Sequence, residues 1–131
     1  MFDIHASSST PIWLQIEEGI RRMISLGALK PGDAVPSVRD LARTLRVNPN
    51  TVARVYQRLS EVGVLVVRRG EGTYVAETPS QPKKSEKSEK LRDSATAYAG
   101  TALAVGATVD EAAVELERSY QRLSREHRRK A

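Results

Sequence analysis

Two proline-marked helix starts stand close together in this chain, and they confine what lies between them to a short helix. Val35-Pro36 forces extended backbone just before Ser37. Ser37-Val38-Arg39-Asp40 has the form of a capping box, in which a serine side chain and an acid three residues on satisfy orphan amides. Asn48-Pro49-Asn50-Thr51 then opens the next helix, with Asn48 as cap and Pro49 at the first helical position. Between the two starts, Val38, Leu41, Ala42 and Leu45 supply one apolar face, so this helix ends near Arg46. The following helix turns Val52, Val55, Tyr56 and Leu59 inward and leaves Asn50, Thr51, Ala53, Arg54 and Arg58 elsewhere on its surface. Gly63 closes it.

The flanking segments complete the pattern. Residues 1–10 read as an arm without periodicity, and Thr10-Pro11 opens a first helix with Thr10 as cap. Ile12, Trp13, Ile16, Ile20, Met23 and Ile24 recur at helical spacing, so this helix is amphipathic, with Gly27 as its stop. Trp13 and Tyr56 are expected to fill core. Leu29-Lys30-Pro31-Gly32-Asp33 is a turn by composition. After Gly63, the apolar run Val64–Val67 and the short Thr73-Tyr74-Val75 read as two strands, joined by the hairpin turn Arg68-Arg69-Gly70-Glu71-Gly72.

Pro79 and Pro82 mark residues 77–85 as a linker between a domain at 1–76 and a helical tail at 86–131. In the tail, Leu91, Ala95, Tyr98, Ala102 and Val105 recur at heptad-like spacing up to Gly106. Thr108-Val109-Asp110-Glu111 is a second capping box, and Val109, Ala113, Leu116, Tyr120 and Leu123 form a second stripe. Stripes this narrow and Ala-rich call for a partner surface, most economically the same helix pair from a second copy.

Composition narrows the classes. With 131 residues, one compact domain, or a small domain with a helical attachment, is what fits. The chain has no cysteine, which excludes disulfides and thiolate metal sites and suits a reducing cytosol. Met1-Phe2-Asp3-Ile4-His5 lacks the basic and apolar regions of a secretory signal, and no 18 apolar residues run together, so the expectation is a cytoplasmic protein without a membrane span. No glycine-rich phosphate loop, nucleophile elbow or His-x-x-x-His pair is present, so no enzyme is expected. His5 and His127 stand apart from each other and from any carboxylate pair, so no metal and no cofactor is expected.

The net charge of +5 is unevenly placed. From Ser37 to Thr73 seven arginines face only Asp40, Glu61 and Glu71, a local +4 with no lysine. The guanidinium fork suits phosphate oxygens and the guanine edge. Arg43 and Arg46 read as solvated, as do the Lys/Glu mixture at 83–90 and the basic end at 125–130.

Helix, turn, short helix, turn, helix and a two-stranded ribbon with Arg and Gly at its tip is the order of a winged helix-turn-helix. The fold class expected is therefore mainly α: three helices and a β-wing, followed by a two-helix dimerisation tail. In this arrangement the start of the third helix can lie in a major groove, where Asn50, Thr51 and Arg54 meet base edges or phosphates. Arg68, Arg69, Gly70 and Gly72 form the wing tip, and Ser37 and Arg39 sit at a helix N-terminus that favours phosphate.

The same residues carry a resemblance. The stretch Leu29–Ala42, the stretch Val47–Leu59 with its Asn-Pro-Asn-Thr-Val, and Arg69-Gly70-Glu71-Gly72-Thr73-Tyr74-Val75 are similar to the signature of GntR-type bacterial transcription regulators. Pro11-Ile12-Trp13-Leu14-Gln15-Ile16 and the Asn-Pro-Asn-Thr-Val form point to the YtrA subfamily, in which a tyrosine is usual where Trp13 stands. The resemblance runs from about Thr10 to Ala76. It implies DNA-contacting roles for Arg39, Asn50, Thr51, Arg54, Arg69, Gly70 and Gly72, with Ser37 on a phosphate. It further implies a homodimer on double-stranded DNA at an inverted repeat, usually a repressor, often of ABC transporter genes. Pro49 and Ala53 replace arginines found in other branches, so the specificity rules of those branches do not transfer. A small-molecule effector, if one exists, would sit between tail helices or under the linker. The alternative reading is a non-specific or architectural DNA-binding protein.

Overall fold

Seven elements follow one another in the computed structural model, which describes residues 1–129: α1 (Ile12–Ser25), α2 (Val38–Leu45), α3 (Pro49–Glu61), β1 (Leu65–Arg68), β2 (Gly72–Val75), α4 (Lys84–Ala104) and α5 (Val109–Arg129). Lys130 and Ala131 at the end of the basic tail, and the side chains of His127 to Arg129, lie outside the described residues. The chain divides into two compact units, a first of residues 1–80 with the end of the chain from Glu126, and a second of Gln81–Arg125.

In the first unit, α1 buries Ile16, Ile20 and Met23, α2 buries Leu41, Ala42 and Leu45, and α3 buries Val52, Val55, Tyr56 and Leu59. Val35, Val64, Leu65 and Val75 complete this core, with Val38 and Ile24 packed against it. Three expectations are corrected at the N-terminus. Residues 1–10 are not a free arm: Phe2 is buried in the core, and its ring lies where a side chain on Gly19 would stand, 2.5 Å from an ideal Cβ. Thr10 does not cap α1. Pro11 occupies the cap position without a side-chain bond, while the Gln15 amide donates to the carbonyls of His5 (3.0 Å) and Thr10 (2.9 Å) and accepts from the His5 N–H. Trp13 is not core; it is 43% exposed, because the first turn of α1 overhangs the apolar cluster.

The caps of α2 and α3 form as their local sequences require. Ser37 Oγ accepts from the Asp40 N–H at 3.1 Å, and Asn48 Oδ1 accepts from the Asn50 N–H at 2.8 Å. The Asp40 carboxylate lies 3.7 Å from Arg43, and among the described residues it makes no return bond to Ser37. α2 ends on Arg46 in the left-handed region at φ 58, the one non-glycine with positive φ among the described residues.

β1 and β2 pair antiparallel, with Leu65 opposite Val75 and Arg68 opposite Gly72. The segment before Pro36 joins them. Ala34 bridges Tyr74, the Val35 N–H donates to the Thr73 carbonyl, and the Val75 N–H donates to the Asp33 carbonyl. The extended backbone that Pro36 imposes thus becomes a third edge of the ribbon.

In the second unit, α4 buries no residue. Tyr98 Oη donates to the Ala112 carbonyl at 2.7 Å and ties α4 to α5. Thr108 and Glu111 form both bonds of the predicted capping box. The backbone and side-chain bonds from Thr108 hold the Glu111 carboxyl below its ordinary pKa.

Candidate nucleic-acid interface

The N-terminal half of α3 presents Asn50 and Arg54 to solvent, on the side away from Val52, Val55 and Tyr56, with Thr51 half-buried at the flank between the two sides. Its direction is set from beneath. Tyr56 Oη donates to the Pro36 carbonyl at 2.7 Å, linking α3 to the segment that leads into α2; burial pushes this phenol up from its ordinary pKa. Arg58 Nε contacts Glu17 Oε1 at 2.7 Å, and the Arg58 guanidinium stands 5.9 Å from the Trp13 ring centroid. Glu17 is 3% exposed and carries Arg21 on its other oxygen at 3.9 Å. Sequence reasoning missed Glu17, since its partner lies on another helix. Arg58 is therefore engaged in the fold, whereas Arg54 makes no ion pair among the described residues.

Ser37 and Arg39 are exposed at the start of α2, and the 32–35 segment connects them directly to the ribbon. Ser37 Oγ is committed to the cap and keeps acceptor capacity beyond it. The wing turn closes through the Glu71 N–H and the Arg68 carbonyl at 2.9 Å. Gly70 (φ 76) and Gly72 (φ 129) hold backbone conformations that side chains resist, and each has open space where a Cβ would be. Arg69 is exposed and without an ion pair among the described residues. The Arg68 guanidinium lies over the Tyr74 ring, 4.3 Å from its centroid. Helix start, α3 and wing are thus bonded to one another through residues 32–36.

The predicted tail residues divide. Tyr98, Ala102 and Val105 line a groove of about 550 Å³ between α4 and α5, facing Ala112, Val114 and Arg118. Val109, Ala113, Leu116, Tyr120 and Leu123 do not line it; Val109 is 81% and Leu116 59% exposed. Leu91 is exposed, as is Ala95, and so are Leu103 and Val114, two apolar positions that heptad counting left out. No helix among the described residues is long and apolar enough to cross a membrane, and no cluster of three or more metal-ligating side chains occurs among them.

Comparison with known proteins agrees with this geometry. Residues 13–75 match the gntR family of bacterial regulatory proteins. The HTH-type transcriptional repressor YtrA of Bacillus subtilis is 44% identical over 77 residues, 59% of this chain and 59% of that protein. The structure of YtrA from Sulfolobus acidocaldarius, a GntR-family transcription factor, is 34% identical, with a TM-score of 0.54 over 92% of this chain and 97% of that one. The DNA-binding domain of AraR in complex with operator ORE1 is 26% identical, with a TM-score of 0.50 over 56% of this chain and 89% of that one. Family and relatives are transcriptional regulators, not enzymes. The chain is a member of the GntR family of transcriptional regulators, YtrA-like within it, and its first unit is the family's winged helix-turn-helix DNA-binding domain.

Proposed function

We propose that two copies of the chain associate through their tails and bind an inverted-repeat operator as a repressor. Each protomer sets α3 in a major groove through Asn50, Thr51 and Arg54 and lays the wing tip, Arg68 to Gly72, beside it. Ser37 and Arg39 take the phosphates at the start of α2. The observation that carries this reading is that Arg39, Arg54 and Arg69 are exposed and make no ion pair among the described residues. They stand on three elements that residues 32–36 bind into one frame.

The dimer rests on a different support. Leu91, Val105, Val109, Leu116 and Tyr120 are each at least 59% exposed, more apolar surface than two isolated helices tolerate in water. The two-fold of such a dimer matches an inverted repeat, with half-sites separated by a distance the tails set. Control of ABC transporter genes and a cytoplasmic location follow from the YtrA resemblance alone. No effector is needed for this mechanism; one that acts would enter the groove between α4 and α5.

Selection from randomised duplexes at physiological salt, followed by sequencing, tests the proposal. The expected result is an inverted repeat. Recovery of no motif, with binding abolished by modest salt, would leave the architectural reading in its place.

A further inference from the structure

The wing carries two adjacent arginines in different settings. Arg68 ends β1 opposite Gly72, which offers no side chain for it to pack on. The diagonal neighbour on the same face is Tyr74, and cross-strand diagonals lie within reach of long side chains. The guanidinium accordingly lies over that ring at 4.3 Å. The ring is itself anchored: Tyr74 is half-buried, its backbone bridges Ala34, its hydroxyl donates to the Glu71 carbonyl at 3.4 Å, and ribbon bonds from Val35 and Val75 flank it. A guanidinium held over a ring as a cation keeps N–H donors that the ring does not engage. Arg69, at the turn, has no ring against it among the described residues.

We propose that Tyr74 is a positioning residue for DNA binding: its ring holds Arg68 in place as a phosphate contact, while Arg69 is left mobile for the groove. The proposal rests on the reading of this face as the DNA interface. A guanidinium already held on a ring loses less side-chain freedom when a phosphate engages it than one that moves freely.

The test uses the full chain and a duplex recovered by selection, with affinity measured over a series of salt concentrations for Tyr74→Phe, Tyr74→Leu, Arg68→Ala and the Tyr74→Leu/Arg68→Ala double variant. Arg68→Ala is expected to weaken binding and to lower the salt slope by about two, one phosphate for each protomer of the dimer. Tyr74→Leu should weaken binding about three- to tenfold when Arg68 is present, and by less than twofold in the Arg68→Ala background. Tyr74→Phe keeps the ring and should stay within about twofold of the parent protein. Equal losses from Tyr74→Leu in both backgrounds would make the ring a folding element only and overturn the proposal. So would a Tyr74→Phe defect as large as that of Tyr74→Leu, or tighter binding by Tyr74→Leu, which would mean that the ring sequesters Arg68 from DNA. Failure of the DNA reading is a separate outcome: the parent protein itself then recovers no duplex, before any variant is made.

Discussion

Each arginine from Ser37 to Thr73 has its own setting. Arg58 is paired with buried Glu17, Arg43 faces Asp40, Arg68 lies on Tyr74, and Arg39, Arg54 and Arg69 have no ion pair among the described residues. A solvated arginine on the exposed face of a recognition helix contributes nothing to folding that DNA binding must undo. Arg54→Ala should therefore leave stability within about 0.5 kcal/mol, the usual range for a surface change. It should cost about 1–3 kcal/mol of operator affinity per half-site, and titration against single-base variants of the selected duplex should show relaxed specificity at one position in each half-site. Equal losses on every sequence would make Arg54 a phosphate contact instead. Arg46 poses the opposite case. Its φ of 58 strains an L-residue, and glycine accepts that conformation freely. Arg46→Gly is expected to raise unfolding stability by about 0.5–1 kcal/mol in urea titrations, and a decrease would show that the side chain holds the turn.

At the scale of elements, α3 is aimed by two contacts from its C-terminal half, Tyr56 to Pro36 and Arg58 to Glu17. The Tyr56 phenol has its pKa raised by burial, so the folded state keeps its proton where the unfolded state loses it. Its contribution is full below the ordinary tyrosine value of 10.0 and is lost as pH rises above it. Unfolding free energies from urea titrations taken upward from pH 9 should fall more steeply for the parent protein than for Tyr56→Phe, by up to about 1.4 kcal/mol per pH unit. At pH 7 the same variant should lose about 0.5–1.5 kcal/mol through the missing bond to Pro36. What could be read in advance follows from range along the chain. The caps at Ser37, Asn48 and Thr108 need only a few neighbouring residues, and the helical periods placed Ile16, Leu41, Val52 and Leu59 inside. The exposed α3 residues and the glycine turn of the wing were legible in the same way. Glu17 was not, because Arg58 stands 41 residues on, and neither was the pairing of residues 32–35 with β2, which depends on tertiary packing. Trp13 followed the period of α1 and still lies outside the core, since a period fixes a face but not where the core stops.

Across the whole molecule, a unit with a buried core is joined to one whose helices leave their apolar residues open to solvent. In the proposed account, the second unit converts two weak half-site contacts into one tight one, by raising the effective concentration of the second head. A fragment of residues 1–80 should then sediment as a folded monomer and bind the selected duplex at least 100-fold more weakly than the full chain, on the order expected for lost bivalency. Tight binding by that fragment would count against the dimer. The most direct measurement is hydroxyl-radical footprinting of the full chain on the selected duplex. Two protected windows are expected on one face of the DNA, symmetric about the centre of the repeat and about 10 bp or a multiple of it apart. Uniform protection that follows the ends of the duplex rather than its sequence would contradict it.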